Sequence, residues 1–265
     1  MMSMLRSFLN RHPRLKAAAK AVLGSRSARS VSKNYVELDA GTLQTVETEL
    51  QGAWQNSSLP ERQRKLVDAQ LKSYLTGEPV PVFDTLVEAL NRLPPAERTS
   101  LLEIGCSSGY YSEVLAARGI DARYHGCDYS KAFIELARRH YPTLPFDVMD
   151  ATRLGYADGQ FDVVVSGSCL LHIPDYPTAI AETARVSRHY AIFHRTPVLH
   201  KSATRHFTKE AYGVRTLEIH CSEKELVRLF SEQGLQVIDI PTIDVGWHDE
   251  DAFAIKTYVC RKVPT

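Results

Sequence analysis

The segment Glu103–Gly109 combines residues suited to binding a charged small molecule. It reads Glu-Ile-Gly-Cys-Ser-Ser-Gly and joins a short apolar run to an amphipathic segment that begins at Tyr110. Glycine permits a tight turn and lets a ligand approach the backbone closely. The free N–H groups at the start of a following helix favour a carboxylate or a phosphate. We therefore expect this segment, called here the glycine turn, to cradle a nucleotide.

Acidic residues follow the next two apolar runs of the chain. Asp128 lies about 20 residues beyond the glycine turn, where a carboxylate can accept both ribose hydroxyls of a nucleotide. A dehydrogenase would show the same feature. However, the dinucleotide fingerprint GxGxxG is absent, because Ser107 stands where its middle glycine would be. The spacing alone thus leaves the identity of the nucleotide open.

Four ordered motifs resemble those of class I S-adenosylmethionine-dependent methyltransferases. They are the segments 101–111, 125–130, 150–151 and 156–165, and the likeness covers roughly residues 98–196. The resemblance implies S-adenosylmethionine as the cofactor, with Asp150 at the adenine edge. Independently, the absence of HExxH and the spacings of the histidines predict no metal site. The residues that it implies for cofactor binding are Glu103, Gly105, Cys106, Ser107, Gly109, Asp128, Tyr129, Asp150, Ala151 and Ser166.

Two histidines and an arginine follow the fourth and fifth predicted strands. Methyl transfer from a sulfonium mainly requires alignment and desolvation, but an oxygen acceptor can also need a base. His172 is the first candidate for that base, and a packing role for it stays open. His194 is the second candidate. Arg195 can bind an anionic acceptor.

The acceptor is less well defined than the cofactor. The segment 166–169 reads Ser-Gly-Ser-Cys and lacks the (N/D)PPY motif of DNA amino-methyltransferases. A long insertion at about 197–221, together with Tyr35, Trp54 and Tyr110, is expected to enclose a small acceptor. We therefore predict methylation of a small molecule or a glycan, at oxygen. An NAD(P)-dependent oxidoreductase and a non-catalytic methyltransferase-like binding subunit are the alternatives.

Charge is distributed unevenly along the chain. Residues 1–33 contain eight Lys or Arg and no acid, and because the whole chain carries +1, residues 34–265 carry −7. An acidic body disfavours nucleic acid as a partner. The basic leader, residues 1–34, has three open interpretations: a solvated flexible arm, peripheral contact with an anionic membrane, or an organelle transit peptide. Five scattered cysteines without a CxxC pair indicate free thiols and a cytoplasmic protein.

The elements that must position these residues follow from hydrophobic periodicity. Residues 35–97 read as a helical cap, and residues 98–265 read as the S-adenosylmethionine-binding domain. In that domain, short apolar runs alternate with amphipathic helices, which predicts an α/β fold with a doubly wound, mostly parallel sheet. The runs 235–240 and 252–261 have no helix between them and should pair antiparallel. Seven strands are thus expected, ending in an antiparallel hairpin.

Overall fold

The first described element is a strand, where the sequence predicted a helix. The computed structural model describes residues 32–94, 99–248 and 251–263. Strand β1 (Ser32–Leu38) is followed by helix α1 (Ala40–Leu50), a 3-10 turn (Ala53–Gln55), helix α2 (Leu59–Leu75) and helix α3 (Pro81–Asn91). The prediction of a helical start at Tyr35 was wrong, because this exposed segment pairs with a distant strand. The basic leader lies almost wholly outside the described residues.

The middle of the chain alternates strands and helices as predicted. Its elements are β2 (Thr99–Ile104), α4 (Tyr111–Ala117), β3 (Ala122–Asp128), α5 (Lys131–His140), β4 (Phe146–Val148), β5 (Phe161–Gly167), a 3-10 turn (Leu170–His172), α6 (Tyr176–Val186) and β6 (Ser187–Leu199). These five strands are parallel and lie in the order β4-β3-β2-β5-β6. Leu101 and Leu102 pack into hydrophobic clusters on opposite faces of the sheet, so both faces are buried.

The end of the chain adds strands on both sides of β6. They are β7 (Arg205–Ala211), β8 (Val214–Ser222), β9 (Leu235–Asp239), β10 (Thr242–His248) and β11 (Asp251–Lys262), with helix α7 (Glu223–Glu232) between β8 and β9. Strand β8 pairs parallel with β6, and β11 pairs antiparallel with both β6 and β9. The sheet therefore continues β6-β11-β9, whereas a dinucleotide-binding sheet has the order 3-2-1-4-5-6 without an antiparallel strand between its fifth and sixth strands.

The predicted insertion forms a small sheet beside the carboxyl end of β6. Strands β7 and β8 make a hairpin, β1 pairs with the outer edge of β7, and the end of β8 pairs in parallel with Val198 and Leu199 of β6. We call β1, β7 and β8 the cover sheet. The α/β fold and the mostly parallel sheet are confirmed, but the count of seven strands was too low, because eleven strands are present in the described residues. Among those residues, no helix has the length and apolar character needed to cross a bilayer.

Candidate active site

The glycine turn adopts a backbone conformation that larger residues cannot share. Gly105 and Gly109 have φ values of 72° and 75°, in the left-handed region, and Ser107 has 48°. A Cβ atom on Gly105 would lie 2.4 Å from the Cβ of Cys169. A Cβ on Gly109 would lie 2.7 Å from the ring of Phe146. Both glycines are therefore required by backbone conformation and by space.

Asp128 fastens the glycine turn to the end of the neighbouring strand. Its Oδ2 atom accepts the backbone N–H of Ser107 at 3.0 Å, and its Oδ1 atom accepts that of Ser130 at 2.9 Å. Burial raises the pKa of Asp128 to about 6, although these two hydrogen bonds favour the ionised form. Each carboxylate oxygen keeps a second lone pair, so the ionised group can still accept hydroxyl groups of a ligand.

Three serine hydroxyls beside Asp128 are buried without a hydrogen-bond partner in the described part of the chain. They belong to Ser107, Ser108 and Ser130. Buried polar groups are generally hydrogen-bonded, so three such groups around one turn indicate a polar ligand. Together with the required glycines, they fit the nucleoside and amino-acid parts of S-adenosylmethionine.

Glu103, the residue before the last of β2, carries a buried carboxyl group. The hydroxyl of Tyr124 donates a hydrogen bond to it, and a Cβ atom on Gly167 would lie only 2.6 Å from its Oε1 atom. Burial raises the pKa of Glu103 to about 8, and the charge of Asp128 adds to that effect. Glu103 is thus mostly protonated at neutral pH until a cation approaches it.

The other residues expected at the cofactor lie at neighbouring strand ends. Asp150 is exposed, and its Oδ1 atom accepts hydrogen bonds from Thr152, while Ala151 is half-buried. Tyr129 donates from its hydroxyl to the Gln51 carbonyl at 3.3 Å, which places the α1 end beside Asp128. The Cys106 thiol is buried, which raises its pKa. Ser166 is also buried, and its hydroxyl lies 3.3 Å from the Cys169 Sγ atom.

His172 lies beneath the cover sheet and against Trp54. Its Nδ1 atom is 2.6 Å from the carbonyl oxygen of Leu217 in β8, and the two ring centroids of His172 and Trp54 are 4.5 Å apart. Burial, with the charge of Lys209, lowers the pKa of His172 to about 3. The imidazole is therefore neutral; its Nδ1 donates to Leu217, and only Nε2 remains available as an acceptor.

His194 occupies a different environment from that of His172. It is buried, with Nε2 2.9 Å from the Tyr111 hydroxyl and Nδ1 2.9 Å from the Thr257 hydroxyl. Burial and the charge of Arg195 lower its pKa to about 3. Both ring nitrogens are engaged within the protein, which favours a structural role.

The cover sheet carries a buried polar cluster that the sequence did not reveal. The Glu218 carboxylate accepts hydrogen bonds from Lys209 and His220, and from the hydroxyl of Tyr35 at 3.3 Å. Burial alone would raise the pKa of Glu218, but His220 and the Lys209 ammonium hold it well below its usual value. Period-2 alternation through Leu217, Ile219 and Cys221 was the signal for this strand.

The tip of the β7–β8 hairpin is fixed against helix α2. Tyr212 and Gly213 both have positive φ values, 51° and 77°, as a two-residue type I′ turn requires. The Arg62 guanidinium donates to the Tyr212 carbonyl at 2.9 Å. The Tyr212 ring then lies 6.5 Å from that of Trp54. The structure thus brings Trp54, Tyr212 and His172 together, whereas Tyr110, which directly follows the glycine turn, packs on Tyr111.

Known proteins share this architecture. Residues 102–193 match the family model of a methyltransferase domain. The chain is 35% identical over 94 residues to a demethylmenaquinone methyltransferase of Beutenbergia cavernae, which covers 36% of this chain and 38% of that protein. It is 36% identical over 104 residues to an O-methyltransferase of Penicillium expansum, covering 37% of each chain. The chain thus spans under half the length of the curated relatives that it matches.

Solved structures extend the likeness in fold beyond the matched domain. One is a Burkholderia thailandensis 1,6-didemethyltoxoflavin-N1-methyltransferase with bound S-adenosylhomocysteine, at a TM-score of 0.50 and 18% identity, covering 78% of this chain and 89% of that one. The [4+2]-cyclase SpnF has a TM-score of 0.53 at 16% identity, covering 69% and 82%.

Together, the sheet and the glycine turn define an α/β protein of the class I, Rossmann-like methyltransferase type. Residues 102–193 match the model of the methyltransferase domain family, and solved S-adenosylmethionine-dependent methyltransferases share the fold of this chain.

Proposed function

We propose that this protein transfers a methyl group from S-adenosylmethionine to an oxygen atom of a small molecule or a glycan. The observation that carries the proposal is the cradle formed by the glycine turn and Asp128, with its buried, unpartnered serine hydroxyls. A bound sulfonium supplies an activated methyl group. Glu103 is then placed to accept the cofactor ammonium, and Asp128 to accept the ribose hydroxyls.

The chain's own contribution to catalysis is positioning and exclusion of water. Trp54 and Tyr212 cover the edge of the sheet where His172 lies, so an acceptor bound there would be held between aromatic rings. A site covered by these rings would suit a small acceptor better than a duplex. The Penicillium expansum relative is named an O-methyltransferase, which supports oxygen as the acceptor atom.

A thermal-shift experiment tests the cofactor assignment. S-adenosylmethionine and S-adenosylhomocysteine should stabilise the protein, and NAD should not. Stabilisation by NAD alone would contradict the cofactor assignment and favour the oxidoreductase alternative. Transfer of a labelled methyl group to a metabolite extract would then exclude a non-catalytic binding subunit, because such a protein binds the cofactor without turnover.

The variant Asp128→Asn tests the assigned site. Removing the charge that receives the ribose hydroxyls should weaken binding of S-adenosylhomocysteine about ten- to a hundredfold. Asp162→Asn is the matched control, because Asp162 accepts the backbone N–H and the hydroxyl of Ser100 at the opposite end of β2. Equal affinities in the two variants would contradict the placement of the cofactor beside Asp128.

A further inference from the structure

His172 and His194, the two candidate bases, both form hydrogen bonds within the protein. His194 is 1% exposed, and both of its ring nitrogens have partners. His172 keeps only Nε2, and its low pKa makes that atom a weak base. Neither imidazole is therefore an effective general base for a hydroxyl acceptor that must lose a proton.

Glu218, the carboxylate whose charge acts on His172, is also engaged in hydrogen bonds within the protein. Glu218 accepts hydrogen bonds from Lys209, His220 and Tyr35, and its carboxylate is almost fully buried. The charges of Lys209 and Glu218 cancel each other, so this buried pair carries no net charge. Proton removal from an acceptor thus has no strong base in the described residues on this side of the site.

Arg195 differs from these groups because its side chain is exposed and makes no hydrogen bond or ion pair with any described residue. It directly follows His194, the last residue of β6 that pairs with β5. Its φ of 58° is in the left-handed region, which is costly for a residue with a side chain and persists where the surroundings impose it.

Three tyrosines lie within electrostatic reach of Arg195. Its positive charge is close enough to Tyr35, Tyr110 and Tyr212 to lower their pKa values, although burial raises the pKa of each of them more strongly. None of these groups is an anion at neutral pH. A guanidinium with five donors and no anionic partner among the described residues suits a planar carboxylate.

We propose that the methyl acceptor is a carboxylate, bound by Arg195 and converted to its methyl ester. This inference rests on the methyltransferase activity proposed above and specifies the substrate class of that same site. A carboxylic acid with an ordinary pKa near ~4 is ionised at neutral pH, so no base is needed to activate it.

The reaction balances without a proton transfer. One carboxylate oxygen attacks the methyl carbon in line with the carbon–sulfur bond; an oxygen–carbon bond forms, and the carbon–sulfur bond breaks. The electron pair of the broken bond passes to sulfur, which becomes a neutral thioether. The anionic charge of the acceptor and the positive charge of the sulfonium are both lost, and Arg195 contacts the second carboxylate oxygen.

Alkali treatment of the labelled product distinguishes an ester from an ether. The full chain is incubated with methyl-labelled S-adenosylmethionine and either benzoate, trans-cinnamate, benzyl alcohol, cinnamyl alcohol or the fraction of a metabolite extract retained by an anion exchanger. Esters release volatile labelled methanol in alkali, and ethers do not. We expect transfer to the carboxylates or to the retained fraction, with the label released by alkali.

The variant Arg195→Gln tests the binding residue. It should raise the KM for the carboxylate about ten- to a hundredfold while leaving the affinity for S-adenosylhomocysteine unchanged, and Arg195→Lys should lie between it and the wild type. Arg123→Gln is the matched control, since Arg123 is also exposed but lies near the amino end of β3, at the opposite edge of the sheet.

Each outcome bears on one of the two proposals. Alkali-stable labelled products, or equal KM values for Arg195→Gln and Arg123→Gln, would overturn the carboxylate inference and leave the methyltransferase proposal intact. Binding of the cofactor without transfer to any of these acceptors or to a whole extract would count against the methyltransferase proposal itself.

Discussion

The substitution Glu103→Gln should stabilise the free protein and weaken cofactor binding. The carboxyl group is buried, its pKa is about 8, and its ordinary value is 4.5. Between these two values the folded protein holds a proton that the unfolded chain releases. Stability contributed by Glu103 is therefore complete below about pH 4.5 and is lost as the pH rises toward 8.

The size of this effect follows from the two pKa values. At about 1.4 kcal/mol for each pH interval of one, the loss between pH 5 and pH 7 amounts to about 2.5 kcal/mol. Glutamine has the same shape and does not titrate, and its amide oxygen can still accept the Tyr124 hydroxyl. The free energy of unfolding of Glu103→Gln should thus gain about 2.5 kcal/mol over the wild type between these two pH values.

Binding of the cofactor should show the opposite sign. The cationic cofactor favours the ionised form of Glu103, so binding releases a proton. Between about pH 6.5 and about pH 8 the ionised fraction in the free protein rises about fifteenfold, and the affinity for S-adenosylmethionine should rise with it. Ionisation of Asp128, whose pKa is about 6, adds only a small further factor in this range.

Denaturant unfolding and titration calorimetry at matched pH values check both parts. Because every other titrating group is common to the two proteins, the difference between wild type and Glu103→Gln isolates this carboxyl group. If the free energies of unfolding of the two proteins changed equally with pH, the raised pKa of Glu103 would be refuted. An affinity for S-adenosylmethionine that is flat with pH in the wild type would refute the contact between Glu103 and the cofactor.

Two further substitutions test the turn and the cover sheet. Gly105→Ala should abolish S-adenosylhomocysteine binding in a thermal-shift assay, because its Cβ would clash with Cys169, whereas Gly77→Ala, with a φ of 91° and no neighbour within 4 Å, should cost about 1–2 kcal/mol and leave binding intact. Lys209→Met should lower the free energy of unfolding by about 3 kcal/mol, because it leaves Glu218 buried without its ammonium partner, and the double change that adds Glu218→Leu should recover most of this loss in denaturant unfolding.

The fold around the predicted cofactor site could be predicted from the sequence because the patterns that specify it are local. An apolar run, a glycine turn and an amphipathic helix lie within twenty residues of each other, and the same unit recurs along the chain. Asp128 is separated from Ser107, to which it bonds, by 21 positions, the length of a single helix and strand. Parallel pairing then brings consecutive strand ends to one edge of the sheet without further information.

The cover sheet was not predicted from the sequence because it buries charged residues. Sequence reasoning assigns charged residues to solvent, but Lys209 and Glu218 are buried and stabilise each other. Strand β1 lies about 170 residues before its partner β7 in the chain, and no local sequence pattern predicts such a pairing. The same segment therefore appeared as an extension of the helices that follow it.

The roles of the two histidines depend on equally distant groups. His172 is fixed by Leu217, 45 positions away, and His194 by Thr257, 63 positions away. Their sequence positions predicted that both would lie at the carboxyl edge of the sheet, but not which ring nitrogens would remain available. A residue type at a strand end thus indicates a location, and its hydrogen bonds decide its chemistry.

We predict that donor and acceptor are specified by different parts of the chain. The glycine turn, Asp128 and His172 lie within residues 102–193, the part that matches the methyltransferase family model. Trp54, Arg195 and the cover sheet lie outside it. If the acceptor is selected by the second group, relatives that share only about 94 residues with this chain can use the same donor with unrelated acceptors. Exchanging the segments outside the matched domain between such proteins should therefore transfer the acceptor specificity with those segments. The affinity for S-adenosylhomocysteine should not change.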